Sequence, residues 1–397
     1  MRPKITPVLA ISLAAYTAFL PACSSNWGSC EGAGLLIGMG IGVIAAPVAV
    51  PAMAIERGLA RGPMPIISEA APGTISLAFS FNSDLANPRA SWVRPGEFVL
   101  SGRAKSGPLI SQVVKQSAPL DIAGAEEQSG SPLGVIDDRI LFGDTTDSLH
   151  LFDLKTHISR PVPNLDCSVN LMPGNNSLSL DGHRLICQKP TLSKERTFIL
   201  IDTTTWQQIR RLTLRGPLDK DPQMAMGFDA SNDLLVASTK GALTRYSGMG
   251  EEVEIPVGLQ GDHVWSVHGI PSSTSVVAAI NPEPVGPVIK DGAGEAIVFD
   301  VLTGARRLVV PIAQNQQMGF LQFSASSDGR RLVILEQSQA EVYDLQSDKR
   351  IALVTTGEGH QMLSAALDST GDWLIVTAEP KVAVFRLSEP PIHQREE

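Results

Sequence analysis

Cysteine is scarce. Four in 397 residues cannot staple a fold together, which excludes a disulfide-built scaffold. Aromatic residues make up only 5% of the chain, with five Trp and three Tyr. Basic residues are outnumbered, 32 Lys and Arg against 41 Asp and Glu, for a formal charge of −9. That balance argues against a nucleic-acid-binding protein, because phosphate affinity rests on clustered Lys and Arg. The common catalytic signatures are missing too: no glycine-rich phosphate loop, no His-Glu-x-x-His and no Gly-x-Ser-x-Gly. The seven His do not cluster. His150 and His157 flank one expected hairpin, and His263 and His268 share one run. Both pairs read as surface or turn residues rather than metal ligands. No metal or cofactor is expected, and the chain reads as non-enzymatic.

What is present is a chain with a real core and many turns. Hydrophobic residues account for 43%, enough for a folded body. There are 35 Gly and 28 Pro, which favours short strands over long helices. The length allows two to four domains or one large all-β domain.

The N-terminus carries an address. Arg2 and Lys4 precede an uncharged run, Ile5 to Ala22, which ends in Leu20-Pro21-Ala22-Cys23. A basic end, an apolar core and a small residue before the cut are what a signal peptidase reads. The segment resembles the bacterial lipoprotein signal, with an aliphatic residue at −3, a small one at −1 and Cys at +1. Pro21 departs from the usual residue at −2. The resemblance implies removal of residues 1–22 and acylation of Cys23. Ser24 at +2, rather than Asp, implies export to the outer membrane.

A second uncharged stretch runs from Gly32 to Ile55 and is long enough to span a bilayer, which takes about 20 residues. On a helix, Gly34, Gly38 and Gly42 share one face and form a groove for a close-packed partner helix, a route to a homo-oligomer. Pro47 and Pro51 would end that helix after about 14 residues. Residues 23–73 therefore read as a lipid-anchored, Gly-rich apolar segment and linker. An alternative topology follows from Arg57 and Arg61, which lie beyond the second stretch. The positive-inside rule would accept a helical hairpin in the inner membrane with a cytosolic body.

The body, residues 74–388, is a repeat. Apolar runs ending in Asp, two residues, then Thr or Ser recur at Asp153-x-x-Thr156, Asp202-x-x-Thr205, Asp300-x-x-Thr303 and Asp344-x-x-Ser347. Tyr246-Ser247 and Phe385-Arg386 hold equivalent places without the Asp. An Asp at a strand end can accept a backbone N–H two residues on and close a turn. A second marker precedes other apolar runs: Asp181-Gly182, Asn232-Asp233, Asp328-Gly329 and Gly371-Asp372. These supply the positive-φ positions that tight hairpins need. Two markers in register, at a period of roughly 40–50 residues, are a β-propeller signature.

Counting units gives seven four-stranded antiparallel blades at about 85–128, 129–165, 170–215, 222–258, 262–313, 319–356 and 360–388. The last has three strands of its own. Residues 74–81 would supply the fourth and close the ring. Eight blades result if 66–100 forms a blade. Residues 389–397 are a polar tail. The aromatic-Asp pairs Phe152-Asp153, Phe299-Asp300 and Tyr343-Asp344 resemble the Trp-Asp pair of WD40-like propellers. Asp300-x-x-Thr303-Gly304 resembles the start of the quinoprotein blade motif, with Leu308 where that motif has its docking Trp. In outline the chain is similar to the propeller lipoprotein of the outer-membrane barrel-assembly machinery.

If Cys23 is acylated, Cys30, Cys167 and Cys187 remain and allow three pairings. Cys167 enters the third blade and Cys187 lies on its second strand, so this pair is the disulfide candidate, with two buried thiols as the alternative. The doublets Arg210-Arg211, Arg306-Arg307 and Arg330-Arg331 fall at turns and strand starts and read as solvated edges or a basic ring at the mouth. The Asn281–Gly294 loop is a candidate partner contact. The expected function is a protein-interaction platform, lipid-anchored in the bacterial cell envelope, with unidentified envelope proteins as partners. The alternatives are a lactonase-like or quinoprotein-like enzyme or ligand binder, and an oligomerising membrane element carrying a cytosolic propeller.

Overall fold

Leu332, Val333, Ile334 and Leu335 are consecutive, and none has any exposed surface. A run apolar on both faces forms a strand only where something packs on each side of its sheet. Here the partners are the neighbouring sheets. The computed structural model describes residues 64–388, apart from 71–73, 105–108, 116–125, 144–147, 164, 166, 170–176, 190–195, 215–224, 238–241, 248–250, 258–261, 283–293, 313–320, 337 and 357–360.

Every regular element among the described residues is a strand. The first two are β1 (Ile66–Ala70) and β2 (Ile75–Asn82). Blade 1 holds β3 (Ala86–Arg94), β4 (Glu97–Arg103), β5 (Leu109–Lys115) and β6 (Glu126–Ser129). Blade 2 holds β7 (Ser131–Ile136), β8 (Arg139–Gly143), β9 (Leu149–Asp153) and β10 (Ser159–Pro161). Blade 3 holds β11 (Arg184–Lys189), β12 (Arg196–Asp202) and β13 (Gln207–Leu214). Blade 4 holds β14 (Met226–Phe228), β15 (Leu234–Ala237), β16 (Leu243–Tyr246) and β17 (Glu252–Ile255). Blade 5 holds β18 (Asp262–Gly269), β19 (Ser275–Pro282), β20 (Glu295–Asp300) and β21 (Arg306–Pro311). Blade 6 holds β22 (Gln322–Ala325), β23 (Arg331–Glu336), β24 (Gln339–Asp344) and β25 (Lys349–Thr355). Blade 7 holds β26 (Ser364–Leu367), β27 (Trp373–Ala378) and β28 (Lys381–Leu387).

The blades form a closed seven-membered ring. Each junction between neighbours holds its own apolar layer. Phe142 and Phe152 of blade 2 meet Val99 of blade 1, and Phe299 of blade 5 meets Leu235 of blade 4. The ring closes where Ile375 and Val384 of blade 7 pack with Phe98 and Leu100 of blade 1. Burial falls off outward. All of β23 is buried, whereas β10 is wholly exposed. The aromatic that precedes three of the four turn Asp residues is a wedge between blades: Phe152, Phe299 and Tyr343 are all buried, and Ile201 holds the place before Asp202.

One expectation is borne out and two features were not foreseen. The strand at 75–82 is the fourth of blade 7, paired with β28 from Ile75↔Leu387 to Asn82↔Lys381. The eight-blade alternative is therefore overturned: residues 66–100 are divided among blades 6, 7 and 1 because their backbone partners lie elsewhere. Second, β1 adds a fifth, outermost strand to blade 6, pairing Ile66↔Thr355 and Ala70↔Ala352. Third, among the described residues the innermost edge of blade 3 holds two isolated bridges, Leu178 to Leu185 and Ser168 to Gln188, rather than a strand.

Alternating strand direction sorts the loops. Wherever these strands follow one another in the chain, the turn from first to second strand and the turn from third to fourth lie at the same end of the blade. Both sequence markers therefore fall on the same end of the ring, here called the turn face.

Candidate functional site

The turn face is where the repeated polar residues converge. Asp202 Oδ1 accepts from the backbone N–H of Thr204 at 2.7 Å and of Thr205 at 3.0 Å. Asp153 Oδ1 accepts from Lys155 at 2.9 Å and Thr156 at 2.8 Å. Asp300 Oδ1 accepts from Leu302 at 3.0 Å and Thr303 at 2.8 Å, and Asp344 Oδ1 from Gln346 at 2.8 Å. The residue four places after each Asp takes a left-handed backbone: His157, Trp206, Gly304 and Asp348 at φ 60°, 56°, 72° and 51°. Its N–H closes on the Asp carbonyl, at 2.9 Å for His157 and 2.7 Å for Trp206.

These carboxyls are tuned by their turns. The backbone N–H groups of Thr156 and Lys155 hold the Asp153 carboxyl below the usual carboxylate range. Those of Thr205 and Thr204 do the same for Asp202. At Asp300 the Thr274 hydroxyl is the largest cause, followed by Thr303. A carboxylate that accepts fixed N–H donors is a turn cap, and here the oxygen committed to the turn is Oδ1 in each case.

The arginine doublets do structural work at the same face. Arg331 is 4% exposed and donates to the Gly371 and Ser388 carbonyls of blade 7. Arg306 of blade 5 donates to Val257 O at 3.2 Å, reaching back to blade 4. Arg307 reaches forward to the Leu345 carbonyl and Asp348 of blade 6. Arg210 of blade 3 donates to Ser247 O of blade 4 and lies over the Tyr246 ring. The first turns are also linked directly. Asn232 Nδ2 donates to Asp181 Oδ2 at 2.7 Å, Ser272 Oγ to Ser327 O at 2.7 Å, and Ser327 N to Ser369 O at 2.9 Å. The sequence marks these arginines as basic doublets. It does not mark their partners, which are mostly backbone carbonyls of the next blade.

A second set of polar contacts lines the innermost strands. Neighbouring first strands cannot share a ladder, so side chains bridge them. Ser364 Oγ accepts from Ala90 N at 2.7 Å and Trp92 Nε1 donates to Ala366 O at 3.1 Å, while Thr377 Oγ1, from the second strand of blade 7, donates to Pro88 O at 2.6 Å. Gln322 Nε2 reaches Leu363 O at 3.1 Å. Counted back from the first turn, Ser266 and His268 hold the places of Gln322 and Ser324. His268 Nε2 lies 2.8 Å from Ser266 Oγ, and its ring meets Phe323 of blade 6 edge-on. In blade 6 the equivalent side chains, Gln322 and Ser324, contact blade 7.

A buried ionic cluster sits in blade 6. Glu336 and Glu341 are 1% and 7% exposed, and Gln339 Nε2 donates to both. Tyr343 donates to Glu341, and burial, then Glu341, pushes its phenol up. Arg350 pairs with Glu341 at 3.2 Å and with Glu69 of β1 at 2.6 Å, tying the fifth strand to the blade.

The other candidates fall as follows. Cys167 and Cys187 form a disulfide with Cα atoms 5.6 Å apart. The His150 ring stacks on Phe142, while His157 meets Phe152 edge-on, so the two rings pack on different partners. Among the described residues no group of three His, Cys, Asp or Glu side chains is placed to hold a metal ion. Cys23, Cys30, Gly34, Gly38, Gly42, the side chain of His263 and most of the Asn281–Gly294 loop lie outside the described residues. No helix among the described residues is long and apolar enough to cross a membrane. Comparison with known protein families and with curated proteins finds no match for this chain.

Proposed function

We propose that the chain is a non-enzymatic, lipid-anchored β-propeller that serves as a protein-interaction platform in the bacterial cell envelope, with the outer membrane as its favoured site. The observation that carries the location is the Cys167–Cys187 disulfide. Disulfides persist in oxidising compartments and are rare in the cytosol. That favours export through the signal-like residues 1–22 over a cytosolic body on a membrane hairpin. The platform role rests on the polar groups described above. They cap turns and join blades, so they support a rigid ring that presents loops to partners rather than a reaction centre. Gly34, Gly38 and Gly42 would add self-association at the membrane.

The test is the intact mass and membrane fraction of the mature protein beside a Cys23→Ala variant. The reading expects a chain that begins at an acylated Cys23 and a variant that stays unprocessed. A chain that keeps Met1 and both apolar stretches overturns it in favour of the cytosolic topology. Cross-linking in cells followed by membrane pull-down should recover an envelope protein reproducibly. Repeated recovery of the chain alone removes the platform role.

A further inference from the structure

Every blade's second strand carries an apolar residue packed on the preceding blade, such as Phe98 in blade 1 and Leu332 in blade 6. Three residues further on, the second strand pairs with one fixed position of the innermost edge. In the other six blades that position holds Ser131, Ser168, Ala225, Ser266, Gln322 and Ser364. All are neutral, and two of them bond the next blade: Gln322 reaches Leu363 O, and Ser364 Oγ accepts from Ala90 N. In blade 1 the position is Arg89, opposite Ser101.

Arg89 brings a full charge to a place where its counterparts have none. Its backbone carbonyl accepts from Ser101 Oγ at 3.4 Å, but its guanidinium has no ion pair or hydrogen bond to any described residue. The side chain is exposed, and yet burial holds its pKa below the usual guanidinium value, with no carboxylate to offset the effect. A guanidinium that touches water and is still desolvated stands in a recess, not on a convex rim. The innermost strands of a propeller surround its central channel, so this recess belongs to the channel wall. The strand register puts a second cation on the same side of the sheet. Arg103 pairs with Ala86, two residues beyond Ser101 on β4, and is likewise exposed without a charged partner among the described residues.

We propose that Arg89 anchors an oxyanion-binding site in the channel wall of blade 1, for a small molecule bearing a carboxylate or a phosphate. The planar fork of a guanidinium bonds two oxygens of either group at once. Arg103 adds to the positive potential on that side of the blade. A desolvated cation without a counter-charge opposes folding, so Arg89 does nothing for the empty ring that a neutral residue would not do better. An anionic ligand supplies the missing charge, and the recess strengthens the pair by keeping part of the water away. The site needs neither acylation of Cys23 nor a protein partner, so it stands apart from the platform role.

The experiment titrates the full-length protein at low ionic strength with succinate and, separately, with inorganic phosphate. Calorimetry and thermal melting are the readouts, and an Arg89→Met variant runs beside the wild type. Methionine keeps an apolar stem and removes the charge. The wild type should bind at least one of the two anions and melt higher in its presence, and the tighter of the two identifies the ligand class. Arg89→Met should bind that anion about ten-fold more weakly, the loss expected for one charge-assisted pair. Without anion the variant should melt no lower than the wild type, because an uncompensated desolvated charge has been removed. Three results overturn the proposal. The first is a wild type that binds neither anion. The second is equal binding by Arg89→Met, which means an adventitious ion only. The third is a variant that melts several degrees lower without anion or fails to fold, which makes Arg89 a structural tie between blades like Gln322.

Discussion

Asp153, Asp202 and Asp300 each commit one carboxylate oxygen, Oδ1, to the backbone of their own turn. Their carboxyls are held below the ordinary value of about 3.9. A depressed folded-state pKa stabilises the native state above the unfolded pKa. That stabilisation is lost as pH falls through the folded value. Thermal melts should therefore be flat from neutral pH down to about 5 and drop steeply below about 4. Asp202→Asn should lower the neutral melting temperature by a few degrees and flatten part of the acid slope. An unchanged slope would mean the turn oxygens carry no linkage. Glycines set a second constraint at this scale. Gly329 has φ +69°, and a Cβ there would lie 2.2 Å from the Pro271 carbonyl of blade 5. Gly329→Ala should cost about 1–3 kcal/mol in chemical denaturation, since both the backbone angle and the neighbour oppose it. Ser or Thr substitution should be no better.

At the scale of elements, local chemistry separates what the sequence discloses from what it hides. The third-to-fourth-strand turns are legible because an Asp, two residues and a Thr form a self-contained structure. The aromatic before the Asp is visible as a repeated pair, but its burial between blades shows only in the structure. The strand β1 is not: Ile66–Ala70 pairs with a strand near the other end of the chain, and nothing within those five residues names β25. The Ser168–Gln188 bridge of blade 3 is hidden likewise, because nothing local to Ser168 names Gln188 as its partner. The doublets are visible as charge, but Arg331 answers to the carbonyls of Gly371 and Ser388, which leave no mark in sequence. Arg331→Met should cost roughly 1–3 kcal/mol in urea unfolding, because two carbonyls lose their donor. Strand removal tests the closure. A body starting at residue 74 loses β1 and keeps β2, and should remain a folded monomer with a modestly lower melting temperature. A body starting at residue 84 loses β2 as well, exposes the edge of β28 and uncovers the site of Ile75. It should aggregate on gel filtration. If it elutes as a monomer with an unchanged melt, β2 is not the closing strand.

Closure also sets the cooperativity of the whole molecule. A linear array of sheets could lose an end blade without disturbing the rest, as repeat arrays do. In this ring every blade has two neighbours, and each junction has its own apolar layer. Blade 7 depends on blade 1 through Phe98, and blade 5 depends on blade 4 through Phe299. Both phenylalanines are fully buried. Truncating either to Ala removes its transfer free energy and leaves a cavity, costing about 3–5 kcal/mol. If the ring acts as one unit, Phe98→Ala at the closing junction and Phe299→Ala opposite should cost similar amounts. In each case fluorescence and far-ultraviolet circular dichroism should still report a single coincident transition. If closure is instead a weak seam, Phe98→Ala should split the unfolding into two steps, with blades 7 and 1 separating first while Phe299→Ala keeps one. The two variants, measured side by side in denaturant, distinguish a ring that unfolds as one body from a chain of blades held shut at its ends.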